Sequence, residues 1–196
     1  MASSPTKKQE TRKRILDAAS QGFRRSGYAG IGVDGIAKAA GVTSGAFYAH
    51  FGSKDNTFRA ALEFGLDEVI EALPKFQNES GEEWVKDFVD YYIGKAHRKD
   101  LACGCAMTTL SPEVVRADPK IHSVYETRMK KIVNLLADGL EGSSRDECIS
   151  RAWGLLAVLT GGLTMARAVK TSKSAEEIAA SICIVAISVA GNTKKP

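Results

Sequence analysis

Apolar residues recur along this chain at helical spacing from near its start to near its end. Ile15, Leu16, Ala19 and Phe23 mark a first amphipathic helix from about Lys8, which Gly27 ends; Gly30 and Gly32 loosen the link that follows. Ile36, Ala37, Ala40, Val42, Phe47, Phe51 and Phe58 then fall where a small three-helix core requires them. Between those helices, Ala40-Gly41-Val42-Thr43 places glycine where a helix end needs a left-handed residue. Thr43 or Ser44 can cap the next helix by accepting from its open N–H groups. Ser53 can cap a further helix from Lys54, which is expected to run to about Leu73, where Pro74 stops it.

The second half repeats the helical pattern on a larger scale. Residues 81–98 carry Trp84, Phe88, Val89, Tyr91, Tyr92 and Ile93, an aromatic-rich amphipathic stretch. Residues 101–109 are rich in small side chains, and Ser111-Pro112-Glu113 reads as a cap with proline at the first helical position of a brief helix ending near Asp118. A long helix is expected from about Pro119 to Leu140, with Val124, Met129, Ile132, Val133, Leu135 and Leu136 apolar. The last two, at about residues 144–170 and 175–190, are the most apolar. Gly161 and Gly162 sit inside the first of them. Interior glycines cost about 1 kcal/mol each against alanine, so another helix is expected to pass close by. Apolar residues on more than one face of these helices suggest burial against both their own core and a partner, although a monomeric core fits the pattern too.

Two helices joined by a short glycine turn are a helix-turn-helix arrangement, whose second helix lies in the DNA major groove, or else an ordinary helical hairpin. Charge bears on the choice. Residues 1–60 carry ten Lys/Arg against four Asp/Glu, a net of +6, whereas the remainder carries 17 against 19, a net of −2. Positive charge therefore gathers on the segment that would meet phosphates; Arg12, Lys13, Arg14, Arg24 and Arg25 are expected on the outer faces of the first helix. A solvated basic terminus explains Lys7 and Lys8 but not the whole asymmetry. Residues 1–8 are polar and expected to be disordered.

Met1 to Arg14 lacks the apolar run of a signal peptide. Ile178–Ala190, the most apolar stretch, is too short to span a bilayer and is interrupted by Ser181 and Ser188. A cytoplasmic protein with no membrane partner is expected. No nucleotide loop, metal cluster or nucleophile triad is visible, so neither an enzyme nor a cofactor or metal protein is expected. Cys103, Cys105, Cys148 and Cys183 do not form a secreted disulfide framework. Cys103-Gly104-Cys105, near a helix start, is either structural or a sensor of oxidants or electrophiles through a thiol of lowered pKa. His97 and His122 match no zinc spacing with it.

The run Thr11-Arg12, Ile15-Leu16, Ala18-Ala19, Phe23, Gly27-Tyr28, Val33, Ile36-Ala37, Ala40-Gly41-Val42, Gly45, Phe47-Tyr48, His50-Phe51 and Ser53-Lys54 resembles the DNA-binding domain of the TetR family of bacterial transcription regulators. The likeness covers about 50 residues, from Thr11 to Leu62, and its fixed spacings make it specific. One position departs: many members start the second helix with a hydroxyl residue that contacts a phosphate, and this chain has Gly32 there. The resemblance implies an all-α protein with a three-helix DNA-binding domain at residues 1–53, a connecting helix at 54–73, and a helical effector-binding and dimerisation domain over 54–196. It implies a homodimer through helices 144–170 and 175–190, bound to a palindromic double-stranded operator. It also implies a cytoplasmic, nucleoid-associated repressor released by a small molecule.

The expected DNA contacts are Thr43, Ser44, Gly45 and Ala46 at the start of the recognition helix, with Tyr48, His50 and Lys54 on phosphates. A base contact from Asp34 competes with a role as cap of the second helix. The effector-pocket candidates are Trp84, Phe88, Tyr92, Cys105, Met107, Tyr125, Met129 and Trp153, few charges among them, which suits an apolar or aromatic effector.

Overall fold

A computed structural model describes residues 5–191, whose regular elements are helices. In chain order they are α1 (Lys7–Ser26), α2 (Val33–Ala39), α3 (Ser44–Phe51), α4 (Lys54–Ser80), α5 (Trp84–Ile93), α6 (Lys95–Lys99), α7 (Ala106–Val114), α8 (Pro119–Asp138), α9 (Arg145–Ala168) and α10 (Ser172–Ala190), with a 3-10 turn at Gly81–Glu83 before α5. The all-α expectation holds.

The described residues fold as two compact units: residues 5–65 with 101–125, and residues 66–100 with 126–191. In the first, Ile15, Ala19 and Phe23 of α1, Ile36 and Ala37 of α2, Phe47 and Phe51 of α3, and Phe58, Ala61 and Leu62 of α4 close one buried core. Residues 101–125 join it by packing α7 against α1. In the second, α9 and α10 pack along each other and on α5. The resemblance implied a boundary at residue 53 with a connecting helix over 54–73; the grouping by packing divides α4 after Gly65 and places residues 101–125 with the first unit.

Several local expectations are corrected. Thr6 caps α1, so the helix begins at Lys7; its hydroxyl accepts from Gln9 N–H and its own N–H donates to the Gln9 side chain. The part of the expected disorder that concerned residues 1–4 lies outside the described residues. Pro74 does not stop α4. Buried Leu73 precedes it, Phe76 packs edge-on against Phe88 at 5.6 Å, and Gln77 donates to the Leu135 carbonyl at 2.8 Å. Packing on both sides of the proline offsets the hydrogen bond it cannot make, a loss of ~3 kcal/mol in an isolated helix. Gly94, in an extended conformation (φ −61°, ψ 157°), divides the single expected helix over 81–98 into α5 and α6.

Ser111 caps nothing. It lies inside α7, donating to the Met107 carbonyl and pairing with the Tyr125 hydroxyl at 2.8 Å, with Pro112 also internal. Met107, Leu110 and Val114 are buried on one face, and at ~1.5–3 kcal/mol each their burial extends the helix upstream through the proline. Arg24, expected on the surface, is buried. Gly65 makes the room: a Cβ there would lie 2.5 Å from the Arg24 Nη2. As expected, Gly162 meets a crossing helix, for a Cβ on it would come within 2.5 Å of Ile182 of α10. Gly161 faces open space. By length and composition the helix able to cross a membrane among the described residues is α9, not residues 178–190; here it is a core helix with Ala152, Leu155, Leu156, Leu159 and Leu163 buried.

Candidate nucleic-acid interface

The first unit holds α3 by its two ends and leaves its outer face open. At the turn, Ala40 N–H donates to Ile36 O at 2.9 Å, Gly41 takes φ +65°, and Val42 N–H returns to Ala37 O at 2.9 Å. A Cβ at that φ would be strained, so the glycine is what lets the chain reverse within so few residues. Thr43 then caps α3, its hydroxyl accepting from Ala46 N–H at 3.2 Å. At the far end Gly52 (φ +74°) terminates the helix, and Arg12 of α1 donates to the His50 carbonyl at 3.2 Å while its guanidinium lies 4.3 Å over the Phe51 ring.

Within α3 the division between inside and outside is sharp. Phe47 and Phe51 are buried, one turn apart, whereas Tyr48 is 52% exposed with its ring edge-on to Phe47 at 5.5 Å. Gly45 faces open space apart from the Thr43 hydroxyl, which a Cβ would meet at 3.8 Å. Ser44 donates to Asp34 Oδ1 at 2.6 Å, tying the start of α3 to the first turn of α2. Asp34 is thereby an inter-helix partner rather than the cap of α2; the cap position is Gly32, which brings no side-chain hydrogen bond.

Lys54 is positioned by an aromatic platform. Ser53 caps α4 by accepting from Asn56 N–H at 3.1 Å, and the Lys54 ammonium sits 4.3 Å over the Tyr28 ring. Tyr28 stacks on Phe23 at 5.9 Å and meets Phe58 edge-on at 5.3 Å, so the platform is anchored in the core. Its hydroxyl donates to Asp55. Burial first, then that hydrogen bond and the carboxylate charge, push the Tyr28 phenol up to about 12. Tyr28, Asp55 and Arg12 hold the candidate contact residues in place, and no sequence spacing announces that job. Tyr28 stood out only as a motif position.

The effector candidates divide between the units. Cys105, Met107 and Tyr125 belong to the first; Trp84, Phe88, Tyr92, Met129 and Trp153 belong to the second. Trp84 is buried with its indole N–H donating to Gly139 O at 3.3 Å, and Phe88 packs on Tyr92 at 5.8 Å. Trp153 faces outward on α9, 44% exposed. The second unit also carries an open cleft of about 160 Å³ whose lining includes Lys95, Arg98, Lys99, Arg167, Lys170 and Glu176, and none of the aromatic candidates. Cys103 is exposed and Cys105 buried, and neither is in a disulfide.

Comparison with known proteins follows the same grain. The family described as "Bacterial regulatory proteins, tetR family" matches residues 15–61. The transcriptional repressor NemR of Escherichia coli strain K12 is 26% identical over 145 residues, 72% of each chain. The transcriptional regulator AcrR of Shigella flexneri is 41% identical over 69 residues, 35% of this chain and 32% of that one. Among solved structures, reduced E. coli NemR superposes with a TM-score of 0.74 at 22% identity, covering 95% of this chain and 98% of the other. A TetR-family regulator from Cytophaga hutchinsonii reaches 0.76 at 17% identity, covering 99% and 100%. The fold likeness thus spans the chain, while the higher sequence identity is confined to short alignments.

Proposed function

We propose, from the match of residues 15–61 to the tetR family of bacterial regulatory proteins and the likeness to the repressor NemR, that this chain is a DNA-binding transcription regulator of that family: a homodimeric repressor that leaves a palindromic operator when a small apolar or aromatic effector binds. The observation that carries the DNA-facing half of this reading is the pairing of an outward Tyr48 on a capped α3 with a Lys54 ammonium fixed over Tyr28. In this reading Thr43, Ser44, Gly45 and Ala46 approach base edges, and Tyr48, His50 and Lys54 meet phosphates. The open N–H groups at the start of α4 add to the pull on one phosphate. Two copies related by a two-fold axis present two such helices to successive major grooves, hence a palindrome.

Supporting the dimer are large apolar side chains left outside on α9 and α10: Trp153, Met165, Ile184, Val185 and Ile187. Large apolar side chains left exposed on two paired helices are what a partner helix pair would cover. Gel shifts test the DNA face. Tyr48→Ala and Lys54→Ala should each weaken operator binding while the protein stays folded and dimeric, and Lys54→Ala should lower the salt slope by about one phosphate. Affinity unchanged at moderate salt would remove these residues from the interface.

A second reading is favoured by the exposure of Cys103: regulation by an electrophile of the quinone class. The thiolate would add to the electron-poor carbon, forming a C–S bond with the proton taken up by the ring system, so no separate oxidant is consumed. Mass spectrometry after quinone treatment, paired with a gel shift, tests it; an adduct on Cys103 that leaves DNA binding intact excludes the sensor.

A further inference from the structure

Two hydroxyls stand side by side at the start of α3, and the fold commits them in opposite senses. Thr43 Oγ1 accepts from Ala46 N–H at 3.2 Å, which uses a lone pair and leaves its one hydrogen over. Ser44 Oγ lies 2.6 Å from Asp34 Oδ1. A carboxylate accepts and does not donate, so the hydrogen in that contact is the serine's, and 2.6 Å is the length of a charge-assisted O–H···O bond. Ser44 is left with lone pairs alone on its outer side. The neighbouring Gly45 adds no side chain beside it, and a Cβ there would meet only the Thr43 hydroxyl, at 3.8 Å.

Base edges in the major groove sort by the same polarity. Adenine N6 and cytosine N4 donate; guanine O6 and N7, adenine N7 and thymine O4 accept. Phosphate oxygens only accept. A hydroxyl that retains its hydrogen can serve a phosphate, whereas one whose hydrogen is taken can satisfy only an amino group. We propose that Asp34 sets the polarity of Ser44, so that Ser44 accepts from the exocyclic amine of an adenine or a cytosine in each half-site, while Thr43, which keeps its hydrogen, donates to an accepting base edge beside it. The proposal rests on the reading of α3 as the DNA-facing helix. It makes Asp34 a positioning residue: a carboxylate on a phosphate-facing surface costs affinity through repulsion, and here that cost accompanies base selectivity.

The test is selection from a random duplex library by the full-length protein, sequenced for the wild type and for Ser44→Ala, Asp34→Asn and Asp34→Ala, with thermal melts to confirm that each variant is folded. The wild type should show one column per half-site restricted to A or C. Ser44→Ala should flatten that column, by roughly tenfold in preference, the worth of one hydrogen bond. Asp34→Asn, whose amide oxygen still accepts, should keep it. Asp34→Ala returns the hydrogen to Ser44 and should open the same column to G and T. A mere structural tie between α2 and α3 would shift affinity without changing base identity at one column. A column preferring G or T in the wild type, one that survives Ser44→Ala, or identical behaviour of the two Asp34 variants would overturn the proposal. A wild type that selects no motif would instead defeat the operator reading on which it stands.

Discussion

The helices α3 and α10 both leave side chains in the open, and the kinds they leave differ. On α3 the two large aromatic rings, Phe47 and Phe51, are inside, and small or polar groups with one tyrosine are outside. On α10 the arrangement is inverted: the residues buried within the chain are Ala179, Ala186 and Ala190, and Ile184 (72% exposed), Val185 and Ile187 stand outside. A helix whose small residues face its own core and whose branched residues face away has its apolar energy still to realise. A polyanion gains nothing from that face, whereas a second apolar surface does. The open face of α3, with Lys54 held beside Tyr28 in the same unit, suits the polyanion. Exposure alone therefore does not identify an interface; the chemistry of what is exposed does.

The contrast can be broken most violently from inside α3. Phe47→Ala leaves a cavity under the recognition helix and should cost ~3–5 kcal/mol, read as a lower melting temperature with operator binding lost in step. An equal substitution effect on stability with full DNA affinity would mean that α3 is not the reader. Next, Ile184→Glu should weaken self-association roughly a hundredfold by putting a charge into an apolar contact, as seen by sedimentation, with the helical content of the protomer unchanged. A wild type that sediments as a monomer sinks the assignment of that face.

Two adjacent glycines sharpen it further. Gly162→Ala pushes a methyl against Ile182 and should destabilise by about 1–3 kcal/mol, whereas Gly161→Ala meets nothing within the chain and should gain up to about 1 kcal/mol from helix propensity. Loss of dimer in Gly161→Ala with a stable protomer would show that a partner occupies that open space. The smallest effect is expected at Tyr28→Phe, which keeps the platform under Lys54 and removes the hydrogen bond to Asp55, for a cost of ~1 kcal/mol. Its pH signature is distinctive. The folded phenol holds its proton up to about 12, above the ordinary value of 10.0, so the wild-type contribution is complete below pH 10 and falls as pH rises from 10 towards 12. Denaturant melts across that window should fall more steeply for the wild type than for Tyr28→Phe.

How much was legible depended on how local the cause was. Gly27, Gly41, Thr43 and Ser53 act within three or four residues of themselves, and each does what its spacing implies. Pro74 and Pro112 mislead for the same reason in reverse: proline's cost is local and visible, while what outweighs it is the packing of Phe76 on Phe88, the hydrogen bond from Gln77 to the Leu135 carbonyl, and the burial of Met107 and Leu110, all of which exist only in the folded chain. Arg24 looked like one more surface cation because the space that buries it is a missing side chain 41 positions away, at Gly65. The contact residues Tyr48 and Lys54 could be named from the motif. Their supports, Asp34 beneath Ser44 and Asp55 beyond Tyr28, could not.

By itself, then, the sequence determined that the fold is all-α, that residues 11–62 carry the helix-turn-helix pattern, and that the first part of the chain is the basic one. Periodicity, turn chemistry and charge are properties of short stretches, and they survive without coordinates. Tertiary structure decided which segments share a core, so that residues 101–125 pack with the N-terminal helices. It decided where α4 ends, which cysteine is exposed, and in which direction the hydroxyls of Thr43 and Ser44 are committed. Those outcomes depend on side chains far apart in sequence competing for the same space or the same proton, and that competition exists only once the chain has folded.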